Sequence, residues 1–196
     1  MGSLIEGIRK EQIIGTAITT IADKGFINAP LSEIAKEAGI SKGVISYYFK
    51  SKDELVKKVM DKILSDSKKY IDKVVAGEKA ASDKITAYIN ASFDYMEANK
   101  QHFDALVDLW GSITTHEERL NFNKRSYDPC RHFIEEIIRA GIKSGEFVSI
   151  DVHLAASLIQ AVIDGVMIQW LFDENAINLK DARNEVVKLG KAYLLR

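Results

Sequence analysis

The sequence predicts an all-α protein with a three-helix N-terminal head, a connecting helix and a C-terminal antiparallel helical bundle, about nine helices in total. Apolar residues make up 46% of the 196 residues, which is enough for a sizeable core. Only two prolines are present, Pro30 and Pro129. Apolar residues recur at helical spacing along most of the chain, whereas the alternation typical of strands is hard to find.

The head is predicted to contain three helices within residues 1–50. The first carries apolar residues three and four apart and ends at Gly25. A short second helix begins at Pro30, which suits the first helical position, and ends at Gly39, which suits a left-handed turn. Ser41 is a favourable N-cap for a third short helix.

Residues 30–49 therefore have the pattern of a helix-turn-helix motif, in which two short helices flank a tight turn. A longer connecting helix is predicted over 51–75, and a ligand-binding and dimerisation body over 76–196. Glycine and polar stretches separate the body helices, for example at Gly145. These helices are predicted at about 80–99, 101–113, 118–143, 151–173 and 180–195.

Charge is divided unequally along the chain. Residues 1–75 hold 13 Lys and Arg against 10 Asp and Glu, a net charge of +3, and the remainder holds 14 against 18, a net charge of −4. Together they give the formal net charge of −1. A basic head on an acidic body is expected when only one end of a protein meets phosphate groups.

The helix-turn-helix motif is expected to have a buried wedge between its helices and an outward side on its second helix. The side expected to be buried consists of Ile34, Ile40, Ile45 and Phe49. The outward side is short or hydrogen-bonding, so it can enter a DNA major groove about 12 Å wide. Its members are Lys42, Gly43, Val44, Ser46 and Tyr47. The neighbouring Tyr48 is expected to be partly packed, because it points about 100° away from Tyr47.

The stretch IAKEAGISKGVISYYFKSKDEL, residues 34–55, resembles the signature of the TetR family of bacterial regulators at several fixed spacings. The resemblance implies a homodimer that binds double-stranded operator DNA and represses transcription until a small-molecule effector binds the body. It implies groove contacts from the first residues of the recognition helix and phosphate contacts from Tyr47 and Lys52. The DNA-binding residues expected are Ser41, Lys42, Gly43, Val44, Ser46, Tyr47 and Lys52.

Two positions depart from the family's pattern. Pro30 stands where the family often has Thr, so one hydroxyl contact to phosphate is expected to be missing. Ser46 stands where Tyr is usual, so its base contacts should be smaller. The operator sequence therefore cannot be transferred from relatives.

The C-terminal half is similar to the BetI-like subgroup in the segments RAGIKSGEF and LAASLIQAVIDGVMIQWLF. Its aromatic and methionine residues predict either a plain core or a cavity for the effector, with Asp104, Asp108 or Asp164 as a polar anchor. Asp164 is favoured, because a carboxylate in an apolar helix needs a cationic ligand, a backbone group or a side chain across the dimer. The ligand-binding candidates are Tyr88, Phe93, Met96, Phe103, Trp110, Phe133, Asp164, Met167 and Trp170, and the effector is expected to be cationic and partly apolar.

The segment from Leu154 to Phe172 is nearly all apolar and about 28 Å long, close to the length of a membrane span. Asp164 interrupts it, and an aspartate in mid-membrane is costly. We therefore expect no membrane insertion and a helix buried between its own core and a partner subunit. The homodimer is predicted to form through residues 151–173 and 180–195.

The sequence predicts no catalytic residue, cofactor or metal site. Cys130 is the sole cysteine, and no Glu-x-x-His motif, phosphate-binding glycine loop or nucleophile elbow is present. The four histidines are scattered, at His102, His116, His132 and His153. Because these motifs are absent, the protein is not expected to be an enzyme. It is expected to be cytoplasmic, because the first residues lack the apolar stretch of a signal peptide. The alternatives are a helical enzyme or metabolite-binding protein without DNA, and an architectural DNA-binding protein without an effector.

Overall fold

A computed structural model describes residues 2–195, and this range is helical apart from turns, loops and one isolated bridge between Phe147 and Leu195. The prediction of an all-α fold is confirmed. The helices in the described residues are α1 Gly2–Lys24, α2 Leu31–Glu37, α3 Lys42–Tyr48, α4 Lys52–Val75, α5 Ala81–Ala98, α6 Lys100–Gly111, α7 His116–Ser144, α8 Val152–Phe172 and α9 Leu179–Leu194.

The chain forms two compact units. Unit 1 combines the described residues up to Asp66 with Asn99–Thr114, so it holds α1, α2, α3, most of α4, and α6. Unit 2 combines Ser67–Ala98 with the described chain from Thr115 onward. The long helix α4 therefore begins in unit 1 and ends in unit 2.

One helix of the predicted body makes its contacts with the head in the structure. The sequence assigns α6 to the body over 76–196, but α6 packs on α1 and belongs to unit 1. Its buried residues are Ala105, Leu106 and Leu109, which lie on one side of the helix. Helical periodicity shows that a helix has an apolar side but does not show which neighbour covers it.

The first helix is longer than its buried pattern indicates. In the sequence, the apolar residues at helical spacing begin at Ile14, whereas α1 begins at Gly2. In the added turns Leu4, Ile5 and Ile8 are exposed. Burial in unit 1 begins at Ile13, and the helix ends before Gly25, whose φ of +81° confirms the predicted glycine stop.

Unit 2 is built around α7, which packs against α5 and α8, while α5 packs against α9. Thr115 and Glu118 form a capping box at the start of α7, so this helix begins two residues before the predicted position. Pro129 lies inside α7 and does not end it. Gly145 ends α7 with a φ of +82°, as predicted from its place after the last apolar turn.

Candidate functional site

The helix-turn-helix in unit 1 is held by local signals. Pro30 has extended backbone angles and stands just before α2, so it is the N-cap residue and not the predicted first helical residue. Gly39 has a φ of +65°, which lets the chain turn between α2 and α3. The Ser41 hydroxyl accepts a hydrogen bond from the backbone N–H of Val44 at 3.3 Å and caps α3.

The two sides of α3 are separated as the sequence predicts. Ile45 and the following Phe49 are buried, and Ile34 of α2 is buried beside them, while Ile40 in the turn is half-buried. Tyr48 is half-buried and packs edge-on against Tyr47, with 5.0 Å between ring centroids. The exposed residues on the other side are Ser41, Lys42, Gly43, Ser46 and Tyr47, with Val44 half-buried between them.

Lys52, the predicted phosphate contact, is engaged inside unit 1. Its ammonium donates a hydrogen bond to the carbonyl of Phe26 at 2.6 Å and lies 3.9 Å from the centroid of the Phe26 ring. Burial lowers the pKa of Lys52, and the carboxylates of Asp53 and Asp108 act in the opposite direction. No sequence pattern indicates this contact, because Phe26 and Lys52 are far apart along the chain.

In unit 2 a hydrogen-bonded chain connects α5 with the apolar helix α8. The Tyr88 hydroxyl donates to Oε1 of Gln160 at 2.6 Å, and Nε2 of Gln160 donates to Oδ1 of Asp164 at 2.7 Å. Burial raises the pKa of Asp164 to about 6, and the Gln160 amide offsets part of this effect. Asp164 therefore already has a protein partner, but that partner is neutral.

A groove of about 450 Å³ between α7 and α8 gives access to Asp164. Its α7 side carries Asn123, Tyr127 and Arg131, four residues apart, which the ligand-site prediction missed. Arg131 is paired with Asp128 one turn away. The signal available in the sequence was the four-residue spacing of polar and aromatic residues on a helix that faces α8.

The predicted ligand-binding residues do not form one group. Phe103 and Trp110 lie on α6 in unit 1, because α6 packs there and not in the body. Phe93 and Met96 are fully buried core residues of α5. The remaining candidates lie in unit 2 and are Tyr88, Phe133, Asp164, Met167 and Trp170, with the Tyr88 and Phe133 rings 5.9 Å apart.

The other two candidate anchors have roles inside unit 1. Asp104 pairs with Lys100 one turn earlier on α6, at 2.9 Å. Asp108 accepts a hydrogen bond from the backbone N–H of Phe26. Among the described residues no group of three or more His, Cys, Asp or Glu side chains is arranged to hold a metal ion.

A second groove, of about 300 Å³, is almost wholly apolar and lies between α8 and α9. By length and composition α8 is the one described helix that could span a membrane, and 39% of the apolar stretch is buried. Leu154, Leu158 and Val162 are exposed and lie four residues apart, so they form an apolar stripe along α8. The groove is lined by Leu158, Ile159, Val162, Val186, Leu189, Gly190 and Tyr193.

Two families match successive parts of the chain. Residues 13–59, which contain the helix-turn-helix, match the bacterial regulatory proteins of the tetR family. Residues 81–194, which contain α5 to α9, match the C-terminal domain of BetI-type transcriptional repressors. The second match alone covers more than half of the chain.

Individual proteins resemble the chain over most of its length. The HTH-type transcriptional regulator BetI 1 of Chromohalobacter salexigens is 30% identical, over 91% of this chain and 87% of that protein. The crystal structure of FadR from Bacillus subtilis with stearoyl-CoA has a TM-score of 0.81 and 25% identity, covering 91% and 96% of the two chains. A regulator structure from Saccharomonospora viridis with choline has a TM-score of 0.82 at 23% identity, covering 97% and 99%, which shows a shared fold.

Proposed function

The chain belongs to the TetR family of bacterial regulatory proteins, with a BetI-type C-terminal domain, and we propose that it is a cytoplasmic homodimeric repressor released from its operator by an effector bound in unit 2. It is a DNA-binding transcriptional regulator, as its family and the match to the BetI repressor establish. The observation that carries the proposal is the exposed polar side of α3, presented on a buried helix-turn-helix core.

The residues proposed to contact bases are those on that exposed side, with Lys42 and Ser46 at its centre. Gly43 and Ser46 are small, so they let the α3 backbone approach the floor of the major groove, and the longer Lys42 side chain can reach the base edges. Tyr47 is 78% exposed, and its ring is fixed against Tyr48, so its hydroxyl is proposed to contact the DNA backbone. Two copies of α3 about 34 Å apart would enter successive major grooves on one side of the duplex.

The apolar groove between α8 and α9 is the proposed dimer interface. The exposed stripe of α8 continues this groove, and a partner subunit would remove both from water. Sedimentation at micromolar concentration should give about twice the chain mass of 21.9 kDa. A matched pair of variants tests the site: Val162→Glu, in the groove, should give monomers, whereas Lys188→Glu, exposed on α9, should not.

Operator binding is tested by footprinting on the DNA that flanks the gene of this protein. Lys42→Ala should lower the salt dependence of binding by about one unit, because it removes one charge near the phosphates. Ser46→Ala should instead change which bases are protected without changing the salt dependence. A protein that fails to bind this DNA or random DNA at low salt would contradict the proposal.

The effector is proposed to be cationic and partly apolar, with its positive charge beside Asp164. Burial disfavours the ionised carboxylate, and the side chain that hydrogen-bonds to it is the neutral Gln160 amide, so a cation in the groove would stabilise it. Tyr127 lines the same groove and supplies an aromatic face. Arg131 also lines it, but the carboxylate of Asp128 pairs with its charge.

Effector release of operator DNA separates this proposal from its alternatives. Quaternary ammonium compounds should release the operator, whereas neutral isosteres of the same shape and stearoyl-CoA should not. Asp164→Asn should weaken cation binding about tenfold or more, and Asp173→Asn, at the exposed end of α8, should have no effect.

Cation affinity should fall as the pH drops through about 6, because Asp164 becomes protonated. Release by stearoyl-CoA alone would overturn the cationic assignment, and no release by any compound would favour an architectural role.

The proposed coupling uses the continuity of α4. Its first residue follows the helix-turn-helix and its last turns belong to unit 2. If the effector binds one conformation of unit 2 more tightly than another, its binding would favour that conformation and shift α4. The shift in both subunits would change the separation of their two α3 helices. The loss of operator affinity is limited by the difference in effector affinity between the two states.

A further inference from the structure

The carboxylate of Asp164 is held in the groove between α7 and α8 by one side chain. Nε2 of Gln160 donates to its Oδ1 at 2.7 Å, and the described residues make no other hydrogen bond to this carboxylate. Its second oxygen, Oδ2, is therefore available to a cation in the groove, which Gln160 and Asp164 both line. The orientation of the Gln160 amide thus decides how the carboxylate is presented.

A glutamine amide can present either of two opposite groups to a carboxyl group. Its NH2 group donates a hydrogen bond and stabilises the ionised carboxylate, whereas its oxygen accepts one and stabilises the protonated acid. The two orientations have almost the same shape, so hydrogen bonds decide between them. A bond at the amide oxygen is needed to keep the NH2 group turned toward the carboxylate.

Tyr88 supplies this bond from α5. Its hydroxyl donates to Oε1 of Gln160 at 2.6 Å, so the amide oxygen is occupied and the NH2 group faces Asp164. Burial raises the pKa of Tyr88 well above its usual value, so the hydroxyl keeps the proton that it donates. The Tyr88 ring is buried and packs against Phe133, with 5.9 Å between centroids. Turning the amide over would cost the buried hydroxyl this acceptor.

We propose that Tyr88 is a positioning residue for effector binding, which acts through Gln160 by keeping the amide NH2 group turned toward Asp164. The inference rests on the effector site proposed above. Without the Tyr88 hydroxyl, the amide can present its oxygen to Asp164, and that orientation favours a carboxyl group that keeps its proton. A protonated Asp164 offers no charge to an effector cation.

Other ionisable groups surround Asp164 and its hydrogen-bonded partners. They are Tyr88 on α5, Tyr127, Cys130 and Arg131 on α7, and Lys68 and Asp72 on α4. Burial raises the pKa of Tyr127 to about 12 and also raises that of Cys130, so both stay uncharged near pH 6. Arg131 pairs with Asp128, and Lys68 pairs with Asp72. Within the described chain none of them replaces Gln160 as the hydrogen-bond donor to Asp164.

The first measurement needs no effector. NMR follows the side-chain carboxyl carbon of Asp164 during a pH titration of the unmodified protein and of Tyr88→Phe, which keeps the buried ring and removes the hydroxyl. The pKa of Asp164 should rise from about 6 to about 7. Tyr70→Phe is the matched control, because its ring packs on Tyr95, and it should leave the titration unchanged. Gln160→Leu removes the amide itself and should raise the pKa at least as far as Tyr88→Phe.

The second measurement is calorimetric binding of benzyltrimethylammonium, a cationic and partly apolar probe, at pH 6 and pH 8. A rise of the Asp164 pKa to about 7 lowers the ionised fraction at pH 6 from about one half to about one tenth, and hardly changes it at pH 8. Tyr88→Phe should therefore weaken binding about fivefold at pH 6 and less than twofold at pH 8. A general loss of packing would not produce this dependence on pH.

Three results would overturn the inference. The first is an Asp164 titration that is unchanged in Tyr88→Phe, and the second is a smaller shift in Gln160→Leu than in Tyr88→Phe. The third is an equal loss of cation affinity at both pH values, which would mean that Tyr88 contacts the cation directly. Absence of cation binding by the unmodified protein at pH 8 would instead contradict the proposed effector site, and the NMR titration would still decide whether Tyr88 positions Gln160.

Discussion

The two units handle their ionisable groups differently. In unit 1 the ion pairs lie at the surface, as where Lys24 bridges Glu33 and Glu37 and its pKa is raised by their hydrogen bonds. In unit 2 two acidic side chains, Glu135 and Asp164, are wholly or partly covered, although others such as Glu185 form surface ion pairs. Glu135 is 6% exposed and receives hydrogen bonds from His153 and Arg139, which lower its pKa, whereas burial raises the pKa of Asp164.

The difference shows which solution variable each unit responds to. Surface charges on unit 1 make operator binding sensitive to salt. At the proposed effector site, a buried Asp164 whose pKa is about 6 would make effector binding sensitive to pH near neutrality and less sensitive to salt. One chain can therefore separate the electrostatics of DNA binding from those of effector recognition.

The units also differ in how closely other parts of the chain approach their helical glycines, and the largest effect is expected here. A Cβ on Gly141, in α7 of unit 2, would lie 2.7 Å from Cγ of the buried Phe147 ring and closer still to two other ring carbons. Gly141→Ala should therefore lower the free energy of unfolding by about 2–4 kcal/mol. Gly15→Ala, in α1 of unit 1, meets nothing within 4 Å and should raise it by up to about 1 kcal/mol.

Urea unfolding monitored by circular dichroism measures both glycine variants. If both alanine variants were stabilising, Phe147 would have moved aside, and the close approach in unit 2 would not constrain the fold. If both were destabilising, Gly15 would be needed for a contact of α1 that the isolated chain does not show.

The second prediction concerns the stability of unit 2 as a function of pH. The pKa of Asp164 is about 6 in the folded chain and near 3.8 in the unfolded chain. The folded state therefore binds more protons between these values, and stability falls as the pH rises through this window. Asp164→Asn should remove the penalty and raise the free energy of unfolding at pH 8 by about 1–2 kcal/mol, with little change at pH 4. The introduced amide oxygen can still accept from Gln160.

Chemical denaturation at pH 4, 6 and 8 checks this prediction, with Asp173→Asn as the control on the exposed end of the same helix. A loss of stability at pH 8 in Asp164→Asn would mean that the carboxylate makes a favourable contact without an effector. In that event the contrast between the two units would lose its main support.

Structural features that depend on residues close together in the chain can be predicted from the sequence, whereas features that depend on contacts between distant residues cannot. Gly39, Ser41 and Ile45 act within a few residues of one another, so the helix-turn-helix and its exposed side were predictable in detail. The capping box formed by Thr115 and Glu118 is equally local, and its Thr-x-x-Glu pattern was available although the start of α7 was placed two residues late.

Features that depend on contacts between distant segments could not be predicted. Helix α6 has an apolar side that suits either unit, and packing on α1 decides between them. The contact of Lys52 with Phe26 has the same origin, because it joins the start of α4 to the loop after α1. In unit 2, Asp164 was recognised as unusual, but Tyr127 and Arg131 became part of its surroundings only through the packing of α7 on α8.

The smallest effects are expected at the helix N-caps, one in each unit. Ser41 caps the seven-residue α3 through one hydrogen bond, whereas Thr115 caps the long α7 through a reciprocal pair with Glu118. Thr115→Ala should lower the free energy of unfolding by about 1 kcal/mol and Ser41→Ala by about half of that, both measured by thermal unfolding.

Operator affinity should rank the two caps in the opposite order. Ser41 fixes the first turn of α3, where Lys42 lies, so Ser41→Ala should weaken operator binding about threefold to fivefold although it scarcely changes stability. Thr115→Ala lies in unit 2 and should leave operator affinity unchanged.

Ser41→Gly distinguishes capping from direct contact, because glycine is itself a good N-cap but has no hydroxyl. Recovery of operator affinity in Ser41→Gly would show that Ser41 acts by shaping α3. An affinity as weak as that of Ser41→Ala would show that the hydroxyl itself contacts DNA, in addition to capping α3.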